Sequence, residues 1–337
     1  MPAFGVRLRA AVAARGPLCV GIDPHPGLLR DWGVGDDPAG LDRFARLAVD
    51  ALAGRVAVVK PQSAFFERFG SAGIAVLERL LADARAAGAL VLLDVKRGDI
   101  GSTVAGYAAA YLDPAAPLAA DAITASPYLG FGSLQPLLDA ALPTGRGVFV
   151  VARSSNAEGA EVQQATGPDG RAVAQRVVDA AGERNAAELA ADPAAAAARL
   201  GSVGVVVGAT LGAGRPVDAG PSGAGGLGAA GPGIGAARAG HRPGPGPGVD
   251  LSELRGPVLA PGVGAQGAAL ADLPGAFGAA LPDVLPAVSR EVLRHGPDPG
   301  RLRSVVDRLR AEAAAVIPAR LGGIDASSGR SVTPGQI

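Results

Sequence analysis

The sequence predicts an α/β fold of the (β/α)8 barrel class, and three observations carry that prediction. Eight short apolar runs recur along the chain, and helix-period stretches lie between them. The runs are nearly continuous in Val, Leu and Ile, as parallel strands covered on both faces are. Polar residues collect where the runs end, and in a barrel the strand ends and the loops after them make the active site. A doubly wound open sheet shows similar alternation and is the competing architecture.

In chain order the runs are LCVGID (18–23), VAVVKP (56–61), LVLLDVK (90–96) and AITASPY (122–128). Then come GVFVVARS (147–154), VGVVVGAT (203–210), VLAPGVG (258–264) and a weaker VLPAVSR (284–290). Between them, segments such as LDRFARLAVDALAG and AGIAVLERLLADARAAG repeat apolar residues near i, i+3, i+4 and i+7, the helical period. Residues 298–320 read as a final amphipathic helix. One barrel domain over 1–320 accounts for all of these elements. Asp23, Lys60, Asp94, Lys96, Asp99, Ser126 and Arg153 all fall at run ends, so the barrel places them on one face. Arg153 stands where a small or apolar residue is expected, and the sequence offers no account of it.

One segment breaks the pattern. Residues 211–248 hold 14 Gly and 6 Pro among 38 positions, with little apolar material to offset the entropy of ordering them. Disorder is expected there and in the tail, 321–337. The insert follows a strand end, so it emerges on the site face, as a lid or as an inert insertion.

Composition excludes several function classes. Formal net charge is zero and no basic block stands out, so no nucleic-acid surface is indicated. No apolar run is long enough to span a membrane. The start lacks a secretory signal pattern, since its short apolar part holds Arg15. Cys19 is the single cysteine, which suits a cytoplasmic location, and it is expected as a small apolar residue inside a strand.

The stretch VLLDVKRGDIGST carries the chemistry. Only two of the 31 basic residues are lysines, Lys60 and Lys96, and each ends an apolar run. Arg and Lys hold charge equally well, but only Lys readily gives up a proton. Asp94 and Lys96 are two apart on a strand and point to one side, which in a barrel can be the interior. Asp99 lies past the strand end, and Lys60 ends a neighbouring strand. Two ammonium groups among carboxylates stay ionised, and a lysine so held can protonate a carbanion formed beside it. A plain salt-bridge network is the bland alternative, but it gives an Arg-rich chain no reason to use Lys here.

Glycines after the sixth and seventh runs, Gly208, Gly262 and Gly264, suit backbone cradling of a phosphate, and Arg290 can add a charge-assisted contact. No metal site is indicated: His25, His241 and His295 are far apart in sequence.

The ordered set GIDPHP, KPQSAFFERFG, DVKRGDIGST, TASPYLGFGSL, SSNAEGAEVQ, GVVVGAT and PGVGAQG resembles the orotidine 5′-monophosphate (OMP) decarboxylase family, in its longer bacterial branch. The resemblance covers about residues 4–315 apart from the insert. It implies a (β/α)8 TIM barrel that removes CO₂ from C6 of the pyrimidine of OMP, giving UMP without metal or organic cofactor. It implies a charged tetrad of Lys60, Asp94, Lys96 and Asp99, with Lys96 protonating C6 and Asp94 against the departing carboxylate. It further implies that Asp23 and Lys60 contact the ribose, Ser126 the pyrimidine edge and Arg290 the phosphate, with Gln266 helping to close the phosphate loop. Asp99, Ile100 and Thr103 would reach into a partner's site across a homodimer interface. The insert at 211–248 and Arg153 depart from the family pattern. Two other readings use the same barrel: a Mg²⁺-dependent sugar-phosphate decarboxylase or aldolase-like relative, and a non-catalytic scaffold. D-x-K-x-x-D alone is shared with the former, while TASPY and Lys60 argue against it.

Overall fold

The computed structural model describes residues 1–212, 248–264 and 267–319. The expectations for the tail, for Gln266 and for nearly all of 211–248 lie outside the described residues.

Eight parallel strands close into a barrel in sequence order, which decides between the two architectures. They are β1 (Cys19–Ile22), β2 (Val58–Pro61), β3 (Leu90–Arg97), β4 (Ala122–Ala125), β5 (Gly147–Arg153), β6 (Val203–Val207), β7 (Val258–Pro261) and β8 (Val284–Val288). Closure is made by β8 against β1, where Cys19 pairs with Ala287 and Val20 with Val288. Most strands are shorter than the apolar runs that predict them, because the chain leaves the ladder to turn over the mouth. The run expected to continue to Tyr128, for example, ends as strand at Ala125.

Helices Pro38–Leu52 and Gly70–Ala86 follow β1 and β2, as their apolar spacing requires. The first is started by Asp37, whose carboxylate accepts from the Gly40 N–H at 2.8 Å, with Pro38 in the first turn. The final helix, Pro299–Val316, is capped the same way by Asp298. Among the described residues only a 3₁₀ turn, Ala209–Gly212, follows β6 before the chain reaches β7.

Period-2 alternation divides the strand side chains between two cores. Val20, Ile22, Val59, Val91, Leu93, Val95, Ile123 and Val205 pack outward in the larger cluster. Cys19, Val58, Leu90, Leu92, Phe149, Leu259 and Leu285 fill the barrel interior with Phe4 and Leu8 of the N-terminal helix, Phe4–Arg15. That helix is a floor plug. Phe4 meets Phe149 edge to face, ring centroids 5.9 Å apart. Glycine makes room for both rings: a Cβ at Gly147 would stand 2.5 Å from Phe4, and one at Gly204 2.5 Å from Phe149. Phe149→Ala is therefore expected to cost about 3–5 kcal/mol, read as a lowered denaturant midpoint. A loss under about 1 kcal/mol would mean that the floor collapses to refill the space.

Cys19 lies fully buried in this interior, as expected of a small apolar residue, and burial pushes its thiol up to about 12. Among the described residues no helix is long and apolar enough to cross a membrane.

Candidate active site

Above the apolar floor the same interior positions turn polar. On β3 the inward series is Leu90, Leu92, Asp94 and then Lys96; on β2 it is Val58 then Lys60. The register sets Lys60 beside Gly21 of β1. A Cβ at Gly21 would stand 2.9 Å from an Asp23 carboxylate oxygen and 2.9 Å from Ser289 Cβ, so glycine keeps this corner open. A cavity of about 470 Å³ results. Its charged and polar wall comes from the β1–β4 half: Asp23, Lys60, Gln62, Asp94, Lys96 and Thr124. The facing half from β5–β8 supplies apolar groups, Val151, Val206, Leu259, Pro261 and Ala287. Ser154, Ser155, Asn156, Gly262, Ser289 and Arg290 add to the lining beyond those strand residues.

The centre is a hydrogen-bonded chain of charges. Lys60 Nζ donates to Asp94 Oδ2 at 3.1 Å, and Lys96 Nζ donates to Asp94 Oδ1 at 2.6 Å. Thr124 Oγ1 donates to the same Oδ1 at 2.8 Å and accepts from the Lys96 N–H at 2.9 Å. Asp94 and Lys60 are buried, whereas the Lys96 side chain is 51% exposed. Burial alone would raise the Asp94 carboxyl. The ammonium groups of Lys60 and Lys96, with hydrogen bonds from Lys96 and Thr124, outweigh it and hold the group well below the usual carboxylate range. Burial would likewise lower Lys60, but Asp23 and Asp94 hold it above the ordinary lysine value. Asp94 is therefore a carboxylate at neutral pH, and Lys60 is locked as an ammonium.

The end of β3 is irregular. A bulge falls between Leu93 and Arg97, and Lys96 has a left-handed φ of 43°. Such a conformation costs a non-glycine residue roughly 1–3 kcal/mol and persists where the surroundings over-determine it. Thr124 supplies one of those constraints. Thr124→Val keeps the shape but leaves the Lys96 N–H unpaired. It is expected to cost about 1–3 kcal/mol and to lower kcat; unchanged turnover would show that Lys96 is aimed without this contact.

Residues 16–244 match the model of the orotidine 5′-phosphate decarboxylase / HUMPS family. An orotidine 5′-phosphate decarboxylase of Salinispora arenicola is 55% identical over 317 residues, covering 94% of this chain and 99% of that protein. That of Streptomyces coelicolor is 52% identical over 95% of this chain and all of its own length. A Streptomyces avermitilis crystal structure assigned to the same decarboxylase superposes with a TM-score of 0.79 at 52% identity, covering 94% of this chain and 96% of that one. The chain belongs to this family. A Leishmania donovani OMP decarboxylase, 29% identical, superposes with a TM-score of 0.63 over 93% of this chain and 98% of that one.

Within the decarboxylase fold, the structure joins some of the expected residues and separates others. Asp23, Lys60, Asp94, Lys96, Gly262 and Arg290 line the cavity. Asp99 is not joined to the other three charges. It lies beyond the bulge, with its carboxylate accepting the Ile100 N–H at 2.8 Å. Ile100 and Thr103 are exposed outside the cavity. Ser126 is half-buried and tied by its N–H to Arg97 O at 2.9 Å, so it stands beside the cavity rather than in its lining. Gly208 and Gly264 also stay outside the lining. Gly208 donates to Arg153 O, and Gly264, with φ 79°, donates to Ala268 O and shapes the loop after β7.

Arg153 does not face the cavity as its place at a run end implied. A bulge between Val151 and Arg153 brings it level with Val207, an outward-facing residue. There it is buried, and its two terminal nitrogens lie within hydrogen-bond distance of the Gln164 side-chain amide.

Sequence reasoning missed His25, Gln62, Thr124, the 154–156 loop and Ser289. His25 packs against Phe65 with ring centroids 4.2 Å apart, and burial holds its imidazole below the ordinary value despite Asp23. Thr124 was available from period 2, two places after Ala122, which is also inward. The loop offers no periodicity. Its anchor is Gln163, whose amide donates to Ser154 Oγ at 2.7 Å and accepts from Ser154 N at 3.0 Å.

Proposed function

We propose that this chain carries out, at the Lys60–Asp94–Lys96 site, the decarboxylation for which its relatives are named: conversion of OMP to UMP in pyrimidine biosynthesis. One observation carries the reading. A half-exposed lysine, bonded to a buried carboxylate, faces a cavity whose opposite strands, β5–β8, present apolar side chains. The C6–carboxylate bond breaks, its electron pair stays on C6, and CO₂ leaves. The Lys96 ammonium gives its proton to C6 and regains one from solvent. Lys60 remains charged throughout and contacts the ribose with Asp23. An apolar wall around the ring excludes water that would screen the ammonium from the developing carbanion.

Arg290 and the glycine turns at Gly208, Gly262 and Gly264, with Gln266, form the phosphate end in this reading. Ser126 meets the pyrimidine edge from beside the cavity. Asp99, Ile100 and Thr103, which lie outside this chain's cavity, complete a partner's site in a homodimer. The exposed Ile100, Tyr128 and Leu129 are apolar surface for that interface to cover. A cytoplasmic location suits the role and the reduced, buried Cys19. The reaction needs no metal or organic cofactor by this mechanism.

The test follows the ultraviolet band of OMP with purified protein and EDTA. Loss of the band supports the reading. Activity restored only by Mg²⁺, and toward sugar phosphates, would favour the metal-dependent relative. No turnover under any of these conditions would favour a scaffold.

A further inference from the structure

The bulge that carries Lys96 has a second support, on the side of β3 away from Thr124. Arg97 follows the left-handed residue directly. Its backbone is fixed by the β4 pairing at Ala125 and by the Ser126 N–H, which donates to Arg97 O at 2.9 Å. Its side chain leaves the cavity altogether. Arg97 Nη2 reaches Glu67 Oε1 at 2.6 Å, and the guanidinium carbon lies 5.6 Å from the Tyr107 ring centroid.

Glu67 ends the short helix Ala64–Glu67, and the same Oε1 accepts from Ser63 Oγ at 2.6 Å. The Ser63 N–H donates to the backbone oxygen of Asp94 at 3.1 Å. Helix Ala64–Glu67 comes directly after the strand that holds Lys60. The chain Ser63–Glu67–Arg97 therefore ties the exit of β2 to the exit of β3, behind the Lys60–Asp94–Lys96 chain.

We propose that Arg97, acting through Glu67, is a positioning residue: it holds the strained turn at Lys96 that aims the ammonium into the cavity. Both partners are partly exposed, and an ion pair of that kind adds little to global stability. Its effect is local and falls on the residue with the left-handed backbone. Displacing a reacting group by about 1 Å can reduce turnover about 100-fold. The inference rests on Lys96 being the proton donor.

The experiment compares Arg97→Met, Glu67→Gln, the double variant and Arg97→Lys with wild type and Lys96→Ala. Arg97→Met keeps the stem beside Tyr107 and removes the charge. Glu67→Gln keeps an acceptor for Ser63 and serves if the arginine variant folds poorly. Each single change is expected to lower kcat by about 10–100-fold with KM for OMP within about twofold. The double variant should lose no more than the worse single one, since both break the same tie. Arg97→Lys, which can still reach Glu67, should recover part of the loss. Turnover within twofold of wild type in both single variants overturns the proposal, as does an additive double variant. An active Lys96→Ala variant would instead remove the proton-donor reading beneath it.

Discussion

Lys96→Arg is expected to lose turnover on the order of 10²–10⁴-fold while the fold and the affinity for UMP stay close to wild type. The substitution separates two roles that a lysine combines. Arginine keeps the positive charge beside Asp94 and can still donate to its Oδ1. Its proton, however, is bound with a pKa above about 12 and is not released to a carbanion. If the site needs only a cation opposite the developing charge, arginine serves. If it needs a proton, arginine fails. Lys96 is half-exposed and its pair with Asp94 is one of several contacts there, so the melting temperature should shift by a few degrees at most. Initial rates from the OMP absorbance and UMP binding by calorimetry give the two readouts. Turnover near wild type would remove Lys96 as the donor, whatever its geometry.

The sequence carried the inner face of the barrel well. Leu90, Leu92, Asp94 and Lys96 alternate with Val91, Leu93 and Val95, and the structure places the two sets on opposite sides of β3. Period 2 holds wherever a ladder enforces it, so Lys60 and Asp94 were legible together. It fails where the ladder breaks. The bulge before Arg153 turns an inward position outward, while Asp99, past the bulge at the end of β3, lies where period 2 makes no claim. Neither bulge has a sequence signature such as a glycine at the irregular residue. The strained residue is Lys96 itself, held by Thr124 from the next strand.

Loop contributions were hidden for a different reason. Ser154, Ser155 and Asn156 reach the cavity because Gln163, nine residues after Ser154, clasps it. A contact between two side chains across a turn leaves no periodicity to read. The floor helix was missed likewise. Phe4 and Leu8 are buried, but the segment as a whole mixes Arg7, Arg9 and Arg15 into an Ala-rich stretch, and its apolar face is narrow.

Asp94→Asn is expected to be the most disruptive single change in the site, because one carboxylate separates two ammonium groups. Asparagine offers one acceptor oxygen and turns an N–H toward the other lysine. Lys96 can swing into solvent, but Lys60 is buried, and Asp23 becomes its main remaining anion. Removing one partner of a buried pair typically costs about 3–5 kcal/mol, and denaturant unfolding at neutral pH should show a loss of that order.

Asp94 is depressed in the folded state, so its contribution is present above the unfolded carboxylate value of about 3.9 and disappears as pH falls through the folded value. Lys60 is raised, so its contribution is present below about 10.4 and disappears as pH rises through its folded value. The asparagine variant should therefore lose part of the wild-type acid limb below pH about 4 and weaken the alkaline one, where Lys60 has lost a partner. An acid limb identical to wild type would mean that Asp94 is not the depressed group. The kinetic consequence follows from the same charge. In the proposed reading the substrate's carboxylate lies beside Asp94, so removing the negative charge should lower KM for OMP while kcat falls by more, on the order of 10²-fold or beyond. UMP lacks that carboxylate and should bind as before. A KM that does not fall would leave Asp94 the single task of orienting Lys60 and Lys96, and would place the driving force on the carbanion side of the reaction.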